Sequence, residues 1–168
     1  LAAGDISALK SLFNTYSGVL TYLFFFGSLV TFIFAKQFVI LVSGYQYLDS
    51  SVTGLDIVII VRILSIYGLL LPIDRMTGIG LDSINMPKIN ALKVFLMLFL
   101  NIVGDLVAIY IFKSVEMVAV STLLFTTVGV LIGVYFLNKN FKIHLIDILK
   151  DTHKFYKSLW TKSFLIDK

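Results

Sequence analysis

The side chains able to do chemistry in this chain are few, and most stand inside apolar runs. Arg62 lies in a run from Ile57 to Ile73 whose other polar members are Ser65 and Tyr67. A helical span of the bilayer takes about 20 apolar residues. A guanidinium well inside one costs several kcal/mol unless it meets a counter-charge or a wet cavity. Asn101 and Asp105 stand in a second such run, with Lys93 nearer its start. Asn14, Gly18, Thr21 and Ser28 recur at a spacing that places them on one helical face. That face is either a packing seam, where small and hydroxyl residues let backbones approach, or the weakly polar wall of a cavity. There is no cysteine, which excludes thiolate catalysis, disulfides and cysteine-ligated metal. His144 and His153 sit in a polar tail, outside any His-Glu-x-x-His arrangement. Paired carboxylates and Asp-rich loops for Mg²⁺ are also missing. These features argue against an enzyme and call for no cofactor and no metal.

The elements that must position those groups follow from composition. The chain is 58% hydrophobic and 14% charged, with mean hydropathy +0.96, whereas soluble domains are about 25% charged. The expected class is all-α: a transmembrane helical bundle of four spans plus a C-terminal amphipathic cytosolic helix. Residues 1–139 form the membrane part and 140–168 the basic tail. The first span is read as Leu12 to Ala35, followed by Lys36, Gln37 and an interfacial turn from Phe38 to Ser43. Tyr45 and Tyr47 suit an aromatic belt, and Asp49, Ser50 and Ser51 offer N-cap oxygens to the next helix. That helix is read from Val52 to Asp82, interrupted near Tyr67 to Leu71 by Pro72 and loosened at its end by Gly78 and Gly80. Asp74 and Arg75 mark the point where it leaves the hydrocarbon. A loop from Ser83 to Asn90, bearing Lys88, leads to a span from Ala91 to Phe112. Lys113 to Glu116 is a tight turn, and Met117 to Leu137 is the last span, with Gly129 and Gly133 spaced for close helix packing. In the tail, Phe141, Leu145, Ile148, Leu149, Phe155, Tyr156, Leu159 and Trp160 keep helical spacing opposite lysines and aspartates. Such a helix suits an anionic leaflet or packs on the protein's own cytosolic end.

Charge distribution orients the spans. Of the 14 lysines and arginines, Lys139, Lys142, Lys150, Lys154, Lys157, Lys162 and Lys168 cluster at the C-terminal end. Arg75, Lys88 and Lys93 flank the loop between the second and third spans, and Lys10 precedes the first. Lys36 and Lys113 are the cations on the other side. The positive-inside rule places both ends and the middle loop in the cytosol. Counting 1.5 Å per residue, Arg62 lies about 15 Å below a helix start at Val52, and Asp105 about 12 Å below Lys113. Their helices are expected to be antiparallel neighbours. At matching depth, Arg62 and Asp105 form either a buried structural pair or one side of a polar cavity in the outer half of the membrane.

Four features carry a family resemblance: an apolar helix ending in Gly44-x-x-Tyr47; the long interrupted helix to Asp82; Pro87-Lys88-Ile89-Asn90 entering a span that contains Asn101; and Val118-Ala119-Val120-Ser121-Thr122 opening the last span. In order and spacing, up to Asn140, the chain resembles the carboxyl-terminal part of a polysaccharide or oligosaccharide flippase of the multidrug/oligosaccharidyl-lipid/polysaccharide exporter superfamily. The resemblance implies a larger two-lobe carrier of about twelve helices in the bacterial inner membrane. It would move undecaprenyl-linked oligosaccharide by alternating access, for polysaccharide or O-antigen biosynthesis. Its partners would be membrane lipids, the anionic lipid-linked glycan and further transmembrane helices upstream of Leu1, with no nucleic acid. Arg62, Asp105, Asn101, Asn14 and Thr21 are the candidate cavity residues, and Lys88 the cytosolic-loop candidate. A cation-coupled multidrug exporter of the same superfamily is the alternative, with Asp105 as the ion site. A lipid-sugar enzyme or a non-transporting helper subunit stands further off.

Overall fold

Long apolar stretches broken by short polar turns leave helix as the form that satisfies every backbone group within the segment. The computed structural model describes residues 6–48, 54–141 and 150–158, and no strand occurs among them. Helix α1 spans Ile6–Ile33 and is followed by α2, Ala35–Ser43, and a 3₁₀ turn, Tyr45–Leu48. Helix α3 is Ile57–Ser83, and α4 is Pro87–Val107, extended by a π turn over Ala108–Phe112. Helix α5 is Val115–Phe141, and residues 150–158 form α6. Four helices are long and apolar enough to cross a membrane: Lys10–Ile33, Ile57–Ser83, Pro87–Phe112 and Val115–Lys139. This is the composition of a multi-pass membrane protein.

Several expected boundaries are corrected. Phe38 to Ser43 is not a turn but part of α2, because backbone bonds from Phe34 to Val30 (2.9 Å) and from Phe38 to Phe34 (2.9 Å) carry the helix across the junction. Asp49, Ser50 and Ser51 lie outside the described residues. The cap of α3 is instead Asp56, whose carboxylate accepts from the Ile59 N–H at 3.0 Å. The helix therefore starts at Ile57, not Val52, and stays continuous through the buried Pro72. The expected loop from Ser83 to Asn90 shrinks to a short turn, with Asn85 left-handed at φ 61°. Pro87 opens α4 at its first position, where its missing N–H costs nothing. The last span is longer at both ends than Met117 to Leu137. Glu116 accepts from Ser114 Oγ at 2.6 Å and from the Asp56 N–H at 2.9 Å, so one carboxylate ties the start of α5 to the start of α3.

The four spanning helices stand in a row. Helix α3 packs against α1 on one side and α5 on the other, and α4 packs on the far side of α5. Helix α5 is the most buried of the four. The expectation that α3 and α4 are neighbours along their length is corrected: α5 stands between them, and they meet near their shared turn. The start of α1, the α3–α4 turn and the end of α5 lie together, here called the proximal end, through Phe13, Met76 and Leu137 with Leu20 and Ile84 against them. The start of α3 and the α4–α5 turn form the distal end. Apart from α6 on α1, the outer surface of the row is apolar and uncovered among the described residues, for example Leu23, Phe25 and Phe26 on α1 and Leu92, Phe95, Phe99 and Tyr110 on α4. In a membrane such surface meets lipid or further helices.

Helix α6 lies along α1 in the same direction. Asn14 Nδ2 donates to Asp151 Oδ2 at 3.1 Å, Gly18 faces Thr152, and Tyr22 meets Tyr156 edge-on with ring centroids 6.3 Å apart. This stretch of the tail thus packs along the proximal half of α1, from Asn14 to Tyr22. The remaining tail residues, Trp160 among them, lie outside the described part. A Cβ on Gly18 would collide with the Thr152 side chain. Gly18→Ala is therefore expected to undock α6. Hydrogen exchange should accelerate across residues 150–158 while α3 to α5 keep their protection; unchanged exchange there would contradict this packing.

Candidate functional site

Among the described residues the most buried charge is Lys93, which faces Asp74 where α3, α4 and α5 converge. The short α3–α4 turn makes the two helices an antiparallel hairpin, so residues flanking the turn meet across it. Asn90 Nδ2 donates to both carboxylate oxygens of Asp82 at 3.0 Å. A little further in, Lys93 Nζ donates to Asp74 Oδ1 at 2.8 Å. The same ammonium makes longer contacts to the Asp74 carbonyl (3.3 Å) and Thr77 Oγ1 (3.4 Å). Thr77 Oγ1 in turn donates to the Asp74 carbonyl at 2.8 Å. Lys93 is only 2% exposed, so its three donors must be met inside the protein, and these contacts meet them. Gly133 of α5 closes the site: a Cβ there would lie 2.7 Å from Thr77 Oγ1 and 3.3 Å from Lys93 Cδ. Without a side chain at Gly133, all three helices can approach the pair.

The sequence puts Lys93 in the first turns of its span and Asp74 at a helix exit, and no local pattern signals that they pair. Gly78 and Gly80, expected to loosen the end of α3, are buried and do the opposite: Gly78 lies against Asn90 and Gly80 against Leu137 and Phe13.

Arg62 and Asp105 are not brought together. Asp105 Oδ1 accepts from Ser121 Oγ at 2.7 Å, across the α4–α5 seam. Next to it, Thr122 Oγ1 bonds Asn101 Oδ1 at 3.3 Å. Along the same seam Gly129 lies against Met97, which bears out the reading of Gly129 and Gly133 as a close-packing pair. Arg62 is exposed on α3, its guanidinium carbon 5.8 Å from the centroid of the Phe32 ring. Among the described residues it has no carboxylate partner. Its expected depth is also corrected: with the helix starting at Ile57, Arg62 is about 8 Å from the distal end rather than about 15 Å, within snorkelling range of headgroups. Asn14 and Thr21 sit on the buried side of α1, Asn14 at 2% exposure. Its Nδ2 bonds Asp151, while Oδ1 is buried without a partner among the described residues. Lys88 is exposed in the first turn of α4.

Fold and site together are those of a multi-pass membrane protein, with four candidate spans in a row among the described residues and a lysine–aspartate pair joining two of them near one end. Comparison with protein-family models, with curated proteins and with solved structures finds no match for this chain.

Proposed function

We propose that this chain is part of a transporter that flips undecaprenyl-linked oligosaccharide across the bacterial inner membrane by alternating access, in polysaccharide or O-antigen biosynthesis. The observation that carries the reading is the open row. Four apolar helices with an uncovered outer surface suit one wall of a larger two-lobe carrier, completed by other helices of the same protein. The residues that resemble flippases add to it, Pro87-Lys88-Ile89-Asn90 and Val118 to Thr122 above all. In this reading the proximal end, rich in lysine and arginine, is cytosolic. An anionic diphosphate headgroup needs cations and fixed dipoles in place of water, and ion pairs between movable helices can supply them when they open. Lys93, held by Asp74 in this state, is such a reserve cation at the cytosolic end.

The test uses the full-length protein in vesicles containing a fluorescent lipid-linked oligosaccharide. Access of a membrane-impermeant glycosidase to the glycan reads its movement between leaflets. Glycan should become accessible several-fold faster than in protein-free vesicles, and Lys93→Met should slow it. A rate equal to that of protein-free vesicles would overturn the proposal. A second reading, a cation-coupled multidrug exporter, is favoured by one feature: the half-buried Asp105 carboxylate, whose described partner is the Ser121 hydroxyl. Cation-dependent efflux of an amphipathic dye, abolished by Asp105→Asn, would select it.

A further inference from the structure

At the distal end, the seam between α1 and α3 carries a cation that nothing described on the protein neutralises. Arg62 is exposed over the Phe32 ring, and among the described residues no carboxylate pairs with it. Lys36 follows Phe32 by one helical turn towards the same end and is likewise exposed. Below them the seam opens into an apolar recess. Arg62, Ile66 and Leu69 share one face of α3. Phe25, Leu29 and Phe32 of α1 line the recess with Ser65, Ile66 and Leu69 of α3, and the half-open space is about 100 Å³. That space is apolar and has room for a few methylenes of a hydrocarbon chain. An unpaired guanidinium at headgroup depth matches a phosphate by two parallel hydrogen bonds, and the recess directly beneath matches the chain that hangs from it.

We infer that this seam binds an anionic phospholipid of the leaflet at the distal end. The phosphate sits on Arg62 with Lys36 adding charge above it, and the upper part of one acyl chain fills the recess between Phe25, Leu29 and Ile66. This is a site for a lipid of the bilayer itself, independent of which cargo the protein carries. One basic side chain at the surface gives an anionic lipid an advantage of about fivefold.

The experiment uses the intact protein in vesicles of equimolar phosphatidylglycerol and phosphatidylcholine, with a diazirine placed in the acyl chain of one or the other. After irradiation, adducts are mapped by peptide mass spectrometry. Phosphatidylglycerol should label the peptides holding Phe25 to Phe32 and Ser65 to Leu69 about fivefold more than phosphatidylcholine. Arg62→Gln should bring the two to parity, and Arg62→Lys should keep part of the preference. Arg62 is exposed, so these variants are expected to fold. Ile66→Trp, which fills the recess from its lipid-facing rim, should abolish recess adducts from both lipids. Equal labelling in the native protein, or a preference that survives Arg62→Gln, would overturn the inference. So would displacement of phosphatidylglycerol by a trace of polyprenyl phosphate, because the recess would then be a cargo site.

Discussion

Lys93→Met should cost on the order of 3 kcal/mol of unfolding stability, because it leaves the Asp74 carboxylate without its cation in a site already closed to water. The side chains of Lys93 and Asp74 are 1% and 18% exposed, so solvent screens the pair little. Asp74→Asn should cost a similar amount by the opposite route. The ammonium stays buried, and what faces it is a neutral amide, a carbonyl and the Thr77 hydroxyl. The double variant Asp74→Leu/Lys93→Met removes both charges and fills the space with hydrocarbon. It is expected to recover to within about 1 kcal/mol of the native protein. Thermal unfolding in detergent, with the four proteins compared as a cycle, reads the coupling. If the double variant loses the sum of the two single losses, the charges do not interact and the geometry of this site is wrong.

The second large effect is expected at Gly133. A valine there would push its Cβ against Thr77, 2.7 Å from Oγ1 and 2.9 Å from Cβ, and against Lys93 Cδ at 3.3 Å. Those atoms belong to α3 and α4, so relief requires parting α5 from both at once. Overpacking of this kind costs roughly 1–3 kcal/mol and occasionally more, and Gly133→Val belongs at the upper end. Gly133→Ala should fall lower, since it adds a single methyl. Gly27 provides the contrast: nothing lies within 4 Å of a Cβ placed there. Gly27→Ala should be neutral or slightly stabilising, as expected for alanine in a helix. The same unfolding measurement separates the three. A Gly133→Val protein as stable as the native one would mean that α5 does not approach α3 and α4 as closely as the structure has it.

The spans were legible because each is an apolar run bounded by polar turns, and length against bilayer thickness is a strong constraint. Helices α4 and α5 begin and end within a few residues of where composition puts them. The start of α3 was misjudged, because Asp49, Ser50, Ser51 and Asp56 are all chemically able to cap. That error carried Arg62 to a false depth and made Asp105 look like its partner. What could have corrected it is the geometry of the turns. Across Lys113, left-handed at φ 53°, residues equally distant in sequence on either side face each other: Asp105 with Ser121, Met97 with Gly129, Lys93 with Gly133. Across the turn at Asn85 the same rule pairs Lys93 with Thr77, and Asp74 stands about one helical turn further along α3, within reach of the long lysine side chain. The order of helices in the row was not legible, because apolar surface is nearly equal on all of them and periodicity does not name a neighbour. The spacing of Gly129 and Gly133 gives close packing, not which helices α5 packs against.

That central position has a consequence for biogenesis. Helix α5 is made last of the four, yet it is the piece against which both α3 and α4 are seated. During synthesis α3 and α4 must therefore wait in the bilayer without their main contact, α3 already beside α1 and α4 joined to it by the α3–α4 hairpin. The salt link between Asp74 and Lys93 needs no α5 to form, so it can clamp that hairpin early and spare a lone ammonium from exposure to lipid. The arrival of α5 then sets Gly133 against the link and Ser121 on Asp105, and fills the space between the two helices along their distal length.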